Sequence, residues 1–177
     1  MIPAVVLAAG ASTRFGSPKQ LLLLPHVLER LEQAGVDEIV VVSGAWPIVE
    51  SESLPLHGAR VVACADWARG PGASLRCGLA ALPAEADAAL VVLADGPYLD
   101  PRAIDRVLAH RNDGDVVAAS YGGVRSHPTV LARGTWAAID DDGGRTLTAA
   151  LVACDDLTPP GDIDTADLWR ETEPGEG

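Results

Sequence analysis

The stretch VVLAAGASTRFGSPKQLL, residues 5–22, decides the fold. Val5, Val6 and Leu7 are apolar on both faces of an extended chain, as in a strand inside a sheet covered on both sides. From Ala8 to Lys19 the chain carries little bulk apart from Phe15, with Gly10, Gly16 and two cations, Arg14 and Lys19. A turn needs fewer residues, and a flexible linker has no use for the cations. Small residues let backbone N–H groups approach a phosphate chain, while arginine and lysine offset its charge. A buried strand that opens into such a loop suits an α/β sheet, where ligands sit beyond the carboxyl ends of strands.

The rest of the chain repeats that pattern. IPAVVLA (2–8), EIVVVS (38–43), ARVVAC (59–64), AALVVLA (88–94) and DVVAAS (115–120) are short apolar runs of parallel-strand type, and PTVLA (128–132) reads as another strand. Helices are expected between them. One begins with Pro25 at its first position and stops at Gly35, one is capped by Ser74, and one is capped by Asp100 with Pro101 next. Further helices are expected near 144–153 and 165–170. The order predicts a single three-layer, doubly wound α/β domain with a mostly parallel, Rossmann-like sheet, spanning 1–170, with 171–177 as a disordered tail. Its loops at 8–19, 64–74 and 95–100 should converge.

Composition bounds the function. The 177 residues suit one core, and 48% are hydrophobic while only 4% are aromatic. A net charge of −12 argues against nucleic acid and against a polybasic membrane contact. The apolar run Ile2–Ala9 is too short for a signal peptide or a membrane span. Cys64, Cys77 and Cys154 are scattered, with no C-x-x-C pair, and read as three reduced thiols of a cytoplasmic protein.

Two common nucleotide fingerprints are excluded by spacing. Gly10 and Gly16 lie six apart with Lys19 three further on, so the loop is neither G-x-x-x-x-G-K-[ST] nor G-x-G-x-x-G. A second constellation is VVLADGPYLDP (91–101), in which Asp95 follows an apolar strand directly. Its carboxylate should stand at the sheet edge, where it suits an octahedral Mg²⁺ that also takes phosphate oxygens; a plain Asp-Gly-Pro turn is the alternative. A third is ADWARGPGASLRCGL (65–79), where Gly72 and Ser74 could offer a backbone N–H and a hydroxyl to a ligand.

Together these stretches resemble the MobA-like nucleotidyltransferases, which join a nucleoside monophosphate to a phosphorylated acceptor and share the fold of nucleotide-diphospho-sugar transferases. The match is carried by L-A-A-G-x-S-x-R-x-G-x-x-K, by L-x-D-x-P at Asp95 and Pro97, and by W-x-x-G-x-x-x-S-L-x-x-G. The resemblance implies that Leu7, Ala8, Ala9 and Gly10 frame the base, that Arg14 and Lys19 meet the phosphates, and that Asp95 binds Mg²⁺. GDIDTADLW (161–169) resembles the family's D-I-D-T-P-E-D-L. There Asp164 is favoured over Asp162 as a second metal ligand, the other capping a helix. RSHPTVL and DDDGGRTL resemble segments that border the acceptor, which brings in His127 and Arg145; the acidic run 140–142 itself reads as a solvated loop. Leu-Ala-Ala-Gly favours CTP over GTP and points to molybdopterin as acceptor, with a molybdoenzyme or its chaperone as partner. A sugar phosphate, methylerythritol phosphate or phospholactate acceptor, or a nucleotide-binding module without turnover, are the alternatives. Two departures stand out. Gly96 replaces the glutamine frequent in cofactor-type members, and the Gly-containing turn expected between Lys19 and the next helix is missing.

Overall fold

The computed structural model describes residues 2–11, 19–52 and 54–161. Seven strands form one sheet: β1 (Ala4–Ala8), β2 (Ile39–Ser43), β3 (Arg60–Ala63), β4 (Ala88–Leu93), β5 (Val116–Tyr121), β6 (Val124–Ala132) and β7 (Ala150–Ala153). Their order is β3-β2-β1-β4-β6-β5-β7. Only β6 runs against the others, antiparallel to both β4 and β5. The expected mostly parallel, doubly wound sheet is therefore present.

Strand residues alternate between two cores. Val6, Val41, Leu90 and Val92 face α1 (Lys19–Gln33) and α3 (Pro101–Ala109), meeting Leu24, Leu28, Leu31, Ile104 and Val107. Val5, Val40, Val42 and Val91 face α2 (Pro71–Ala80), meeting Leu75 and Leu79. The period of two along each strand makes the three layers. Helix α2 lies close on the sheet because Gly78 leaves room: a Cβ there would come within 2.4 Å of Val5 Cγ1.

Several boundaries differ from the sequence expectations. Helix α1 starts at Lys19 and runs through Pro25, which is interior rather than first. An interior proline costs about 3 kcal/mol, whereas fully burying a leucine contributes about 1.5–3 kcal/mol. Leu23, Leu24, Val27, Leu28 and Leu31 are all completely buried, so the apolar face outweighs the proline. Helix α2 begins at Pro71 with Gly70 at its N-cap, so Ser74 is buried inside the helix and is not its cap. The Asp100 cap is as expected, its Oδ1 accepting the Arg102 N–H at 2.9 Å.

The helix expected over 144–153 is a loop followed by β7, which pairs in parallel with β5. Gly143 and Gly144 both have positive φ, which stops a helix from starting there, and pairing covers the otherwise open edge of β5. The cysteines also differ from expectation. Cys64 and Cys77 are joined in a disulfide, with Cα atoms 5.8 Å apart, leaving Cys154 as the free, buried thiol. The end of β3 and the second turn of α2 bring them together, a proximity that no local spacing announces. The thiol count therefore no longer supports a reducing compartment. Among the described residues, no helix is long and apolar enough to cross a membrane. The expected final helix at 165–170 and the tail at 171–177 lie outside the described residues.

Candidate functional site

Parallel strands β1 and β4 end side by side, and the chain beyond them opens a cleft of about 490 Å³. A volume of that order takes a small organic ligand. Its floor is apolar, with Leu7 from β1, Val91 and Leu93 from β4, and Leu131 from β6. Leu75 of α2 and the backbone around Gly96 close two sides. Arg125, His127, Asp142 and Arg145 supply its charged and titratable edge.

Of the residues expected to frame a nucleotide, Leu7 lines this cleft, while Ala8 and Ala9 are buried at the strand end. Gly10 follows them at the surface. The loop is fastened from β2: Ala45 N–H donates to Ala9 O at 3.1 Å, and Trp46 Nε1–H donates to Ala11 O at 3.0 Å. Trp46 was not expected here; an exposed indole just after a strand has no signature of its own. Arg14 lies outside the described residues. Lys19 opens α1, which places it at the end of the loop leaving β1, and its side chain is not described.

Asp95 occupies the turn that follows β4. Ala94 N–H still donates to Leu7 O, extending the ladder past the strand, and Gly96 N–H turns back to Leu93 O. The carboxylate is thus held at the carboxyl edge of the sheet, half-buried, beside the cleft. A hard oxygen donor at that point fits a Mg²⁺ or Mn²⁺ ion that takes its remaining ligands from phosphates and water. Among the described residues, no group of three acidic, histidine or cysteine side chains could hold a metal without such help. Asp162 and Asp164 lie outside the described residues.

His127 leads into Pro128 through a cis peptide bond, and its Nδ1 lies 3.2 Å from Val91 O. A carbonyl only accepts, so Nδ1 carries the proton and the neutral ring keeps Nε2 as an acceptor. Burial pushes the imidazole below its ordinary range. Arg125 and Arg145 push the same way, while the Val91 carbonyl and the Asp95 carboxylate oppose them. His127 is therefore a neutral ring that lines the cleft together with Arg125 and Arg145.

The α2 side is built differently from the expectation. The Gly72 N–H donates to Asp141 O at 2.9 Å, so the amide expected to meet a ligand is already engaged. Ser74 is buried and does not line the cleft. What packs on the start of α2 is the acidic run itself, which is not a free solvated loop. A Cβ on Gly72 would sit 1.6 Å from Asp140 O. Arg76 donates to Ile139 O at 2.9 Å and to Asp141 Oδ1 at 2.5 Å, and Arg69 adds a second bond to the Asp141 carboxylate. Arg76 foremost holds that carboxyl below the usual range. Asp140 Oδ1 accepts the Asp142 and Gly144 N–H groups and shapes the turn.

Arg125 was also missed; it stands two residues before His127 on β6 and lines the same cleft. Its Nη1 donates to Leu147 O at 2.8 Å, and burial lowers its proton affinity. The site thus joins Leu7, His127 and Arg145, with Asp95 at the margin, and leaves Gly72 and Ser74 to structural duty. Chemically it offers an apolar slot, two guanidiniums, a neutral imidazole and two carboxylates, Asp142 in the lining and Asp95 at the margin, beside a small-residue loop.

The MobA-like NTP transferase domain matches this chain over residues 4–155, and the chain belongs to that family. A nicotine blue oxidoreductase of Paenarthrobacter nicotinovorans is 30% identical over 191 residues, covering 94% of this chain and 93% of its own. The crystal structure of Rv0371c from Mycobacterium tuberculosis H37Rv superposes with a TM-score of 0.82 at 28% identity, covering 96% of both chains. A manganese complex of Rv0371c gives a TM-score of 0.70 at 26% identity, again over 96% of each chain.

Proposed function

We propose that this member of the MobA-like NTP transferase family moves a nucleoside monophosphate from an NTP to a phosphorylated acceptor, releasing pyrophosphate. The observation that carries the reading is the position of Asp95. It stands at the end of β4, beside the small-residue loop of β1 and at the margin of a cleft edged by Arg125 and Arg145. CTP is the favoured donor and molybdopterin the favoured acceptor, both on the Leu-Ala-Ala-Gly resemblance, with a molybdoenzyme or its chaperone receiving the product. A cytoplasmic place of action suits an NTP donor.

Arg14 and Lys19 offset charge on the α-phosphate and the leaving pyrophosphate. Leu7 to Gly10 hold the base against the end of β1. Arg145 and His127 orient the acceptor, whose phosphate is already an anion and needs no dedicated base. Asp95, with Asp164 as the candidate second ligand, would hold Mg²⁺ or Mn²⁺, which supplies Lewis-acid neutralisation of the phosphates when bound. Gly72 and Ser74 leave the nucleotide-binding set.

The test is Mg²⁺-dependent pyrophosphate release across the four NTPs with molybdopterin, sugar phosphates, methylerythritol phosphate and phospholactate. Release with one acceptor and its loss in Asp95→Ala and Lys19→Ala support the reading. NTP binding without release from any acceptor leaves a nucleotide-binding module instead. One observation favours a second reading: the relative matched along 94% of this chain bears an oxidoreductase name. Oxidation of NADH or NADPH by a dye, with no pyrophosphate released, would select it.

A further inference from the structure

The stretch 139–147 crosses one wall of the cleft and is tied at both ends by arginines from elsewhere in the fold. At its start, Arg76 of α2 donates to Ile139 O and to Asp141, and the Gly72 N–H donates to Asp141 O. At its end, Arg125 of β6 donates to Leu147 O. Between the ties, Asp142, Gly143 and Arg145 line the cleft.

We propose that residues 139–147 form a specificity strap, buckled by Arg76 and Arg125, which sets Arg145 opposite Arg125 so that the two guanidiniums hold a phosphate group of the acceptor. This rests on the acceptor-binding reading of the same cleft. It adds Arg125 as a ligand-binding residue and Arg76 as a positioning residue.

Three features support it. Arg125 and Arg145 form no ion pair among the described residues, whereas Arg69, Arg76, Arg102 and Arg106 are each paired with an aspartate. Arg125, partly buried and without a carboxylate, has lost hydration that an incoming dianion would replace, while Arg145 stands exposed at the rim. Arg125, His127 and Arg145 line the same cleft, above a floor of leucine and valine side chains. Two guanidinium forks suit a phosphate dianion better than a neutral group. The strap also cannot sit elsewhere without vacating the space over Gly72, where no Cβ fits.

Phenyl phosphate and benzyl alcohol are the probes, followed by NMR on the Nε–Hε resonances of Arg125 and Arg145, assigned through the variants. Phenyl phosphate should move both resonances and bind at least about tenfold tighter than benzyl alcohol, as charge-assisted hydrogen bonds require. Arg125→Met and Arg145→Met should each weaken it by about tenfold. Arg76→Met, which touches no ligand, should weaken it comparably and add nothing in the Arg145→Met background. Arg76→Lys should restore part of the affinity, and it serves as the readout if Arg76→Met does not fold. Equal binding of benzyl alcohol, or additive effects of Arg76→Met and Arg145→Met, would overturn the proposal. Because binding is read without turnover, the two readings separate. A phosphate site with no pyrophosphate release sinks the transferase reading alone, and turnover untouched by Arg125→Met and Arg145→Met sinks the strap alone.

Discussion

The two walls of the cleft are held by different means. On the β1–β4 side the backbone does the holding, with a parallel ladder from Ala4 to Leu7 that Ala94 N–H extends past the strand end. On the α2 side, side chains tie a loop to other elements across the sequence: Arg76 of α2 and Arg69 just before it to Asp141, and Arg125 of β6 to Leu147. A ladder survives most single substitutions, because each residue contributes only its shared backbone groups. A buckled loop depends on individual guanidiniums. The difference suits the proposed division, with a donor on the ladder wall and an acceptor on the buckled one.

The comparison can be broken from either side. The largest effect is expected at the margin of the ladder wall. Asp95→Asn should reduce pyrophosphate release by at least about a hundredfold, the scale seen when an electrostatic group at developing charge is removed, while the melting temperature changes little. Turnover kinetics and thermal denaturation on the same preparation check this. Next comes Gly72→Ala. Its Cβ meets backbone rather than a pliable side chain, so overpacking of about 1–3 kcal/mol is expected, read as a lower denaturation midpoint. Arg76→Met should lower the midpoint less than Gly72→Ala and leave NTP affinity unchanged, which nucleotide titration checks.

The smallest effect concerns pH. His127 sits below its ordinary value of 6.5 in the folded chain. Between the folded and unfolded values the unfolded chain binds the proton more readily, so stability rises with pH. Its contribution is therefore complete above about pH 6.5 and is lost as pH falls. His127→Asn should flatten that part of the stability curve, as measured by denaturation at a series of pH values.

The ladder wall was legible because its signals are local. The apolar runs of β1, β2 and β4, the bare loop from Ala8 and the aspartate placed directly after a strand each carry meaning within a few residues. The strap was not legible, since Arg76 and Asp141 stand 65 residues apart and meet only once α2 and the loop are both in place. The acidic run 140–142 therefore read as a solvated loop, and 144–153 as a helix rather than a loop and β7. The Cys64–Cys77 pairing was hidden for the same reason. Pro25 misled in the other direction, because a local start signal lost to the burial of leucines on both sides of it. His127 and Arg145 were named from resemblance, and the structure brings them to one cleft; Arg125 was not, because it precedes the strand expected over 128–132 and only the longer β6 takes it in.

Titration of CTP into the wild type and into Asp95→Asn, with and without Mg²⁺, tests the central claim most directly. Binding in the wild type should tighten markedly with Mg²⁺, and Asp95→Asn should bind at the weaker, metal-independent level in both conditions. Equal tightening by Mg²⁺ in the two proteins would contradict the placement of the metal on Asp95 and the transfer reading built on it.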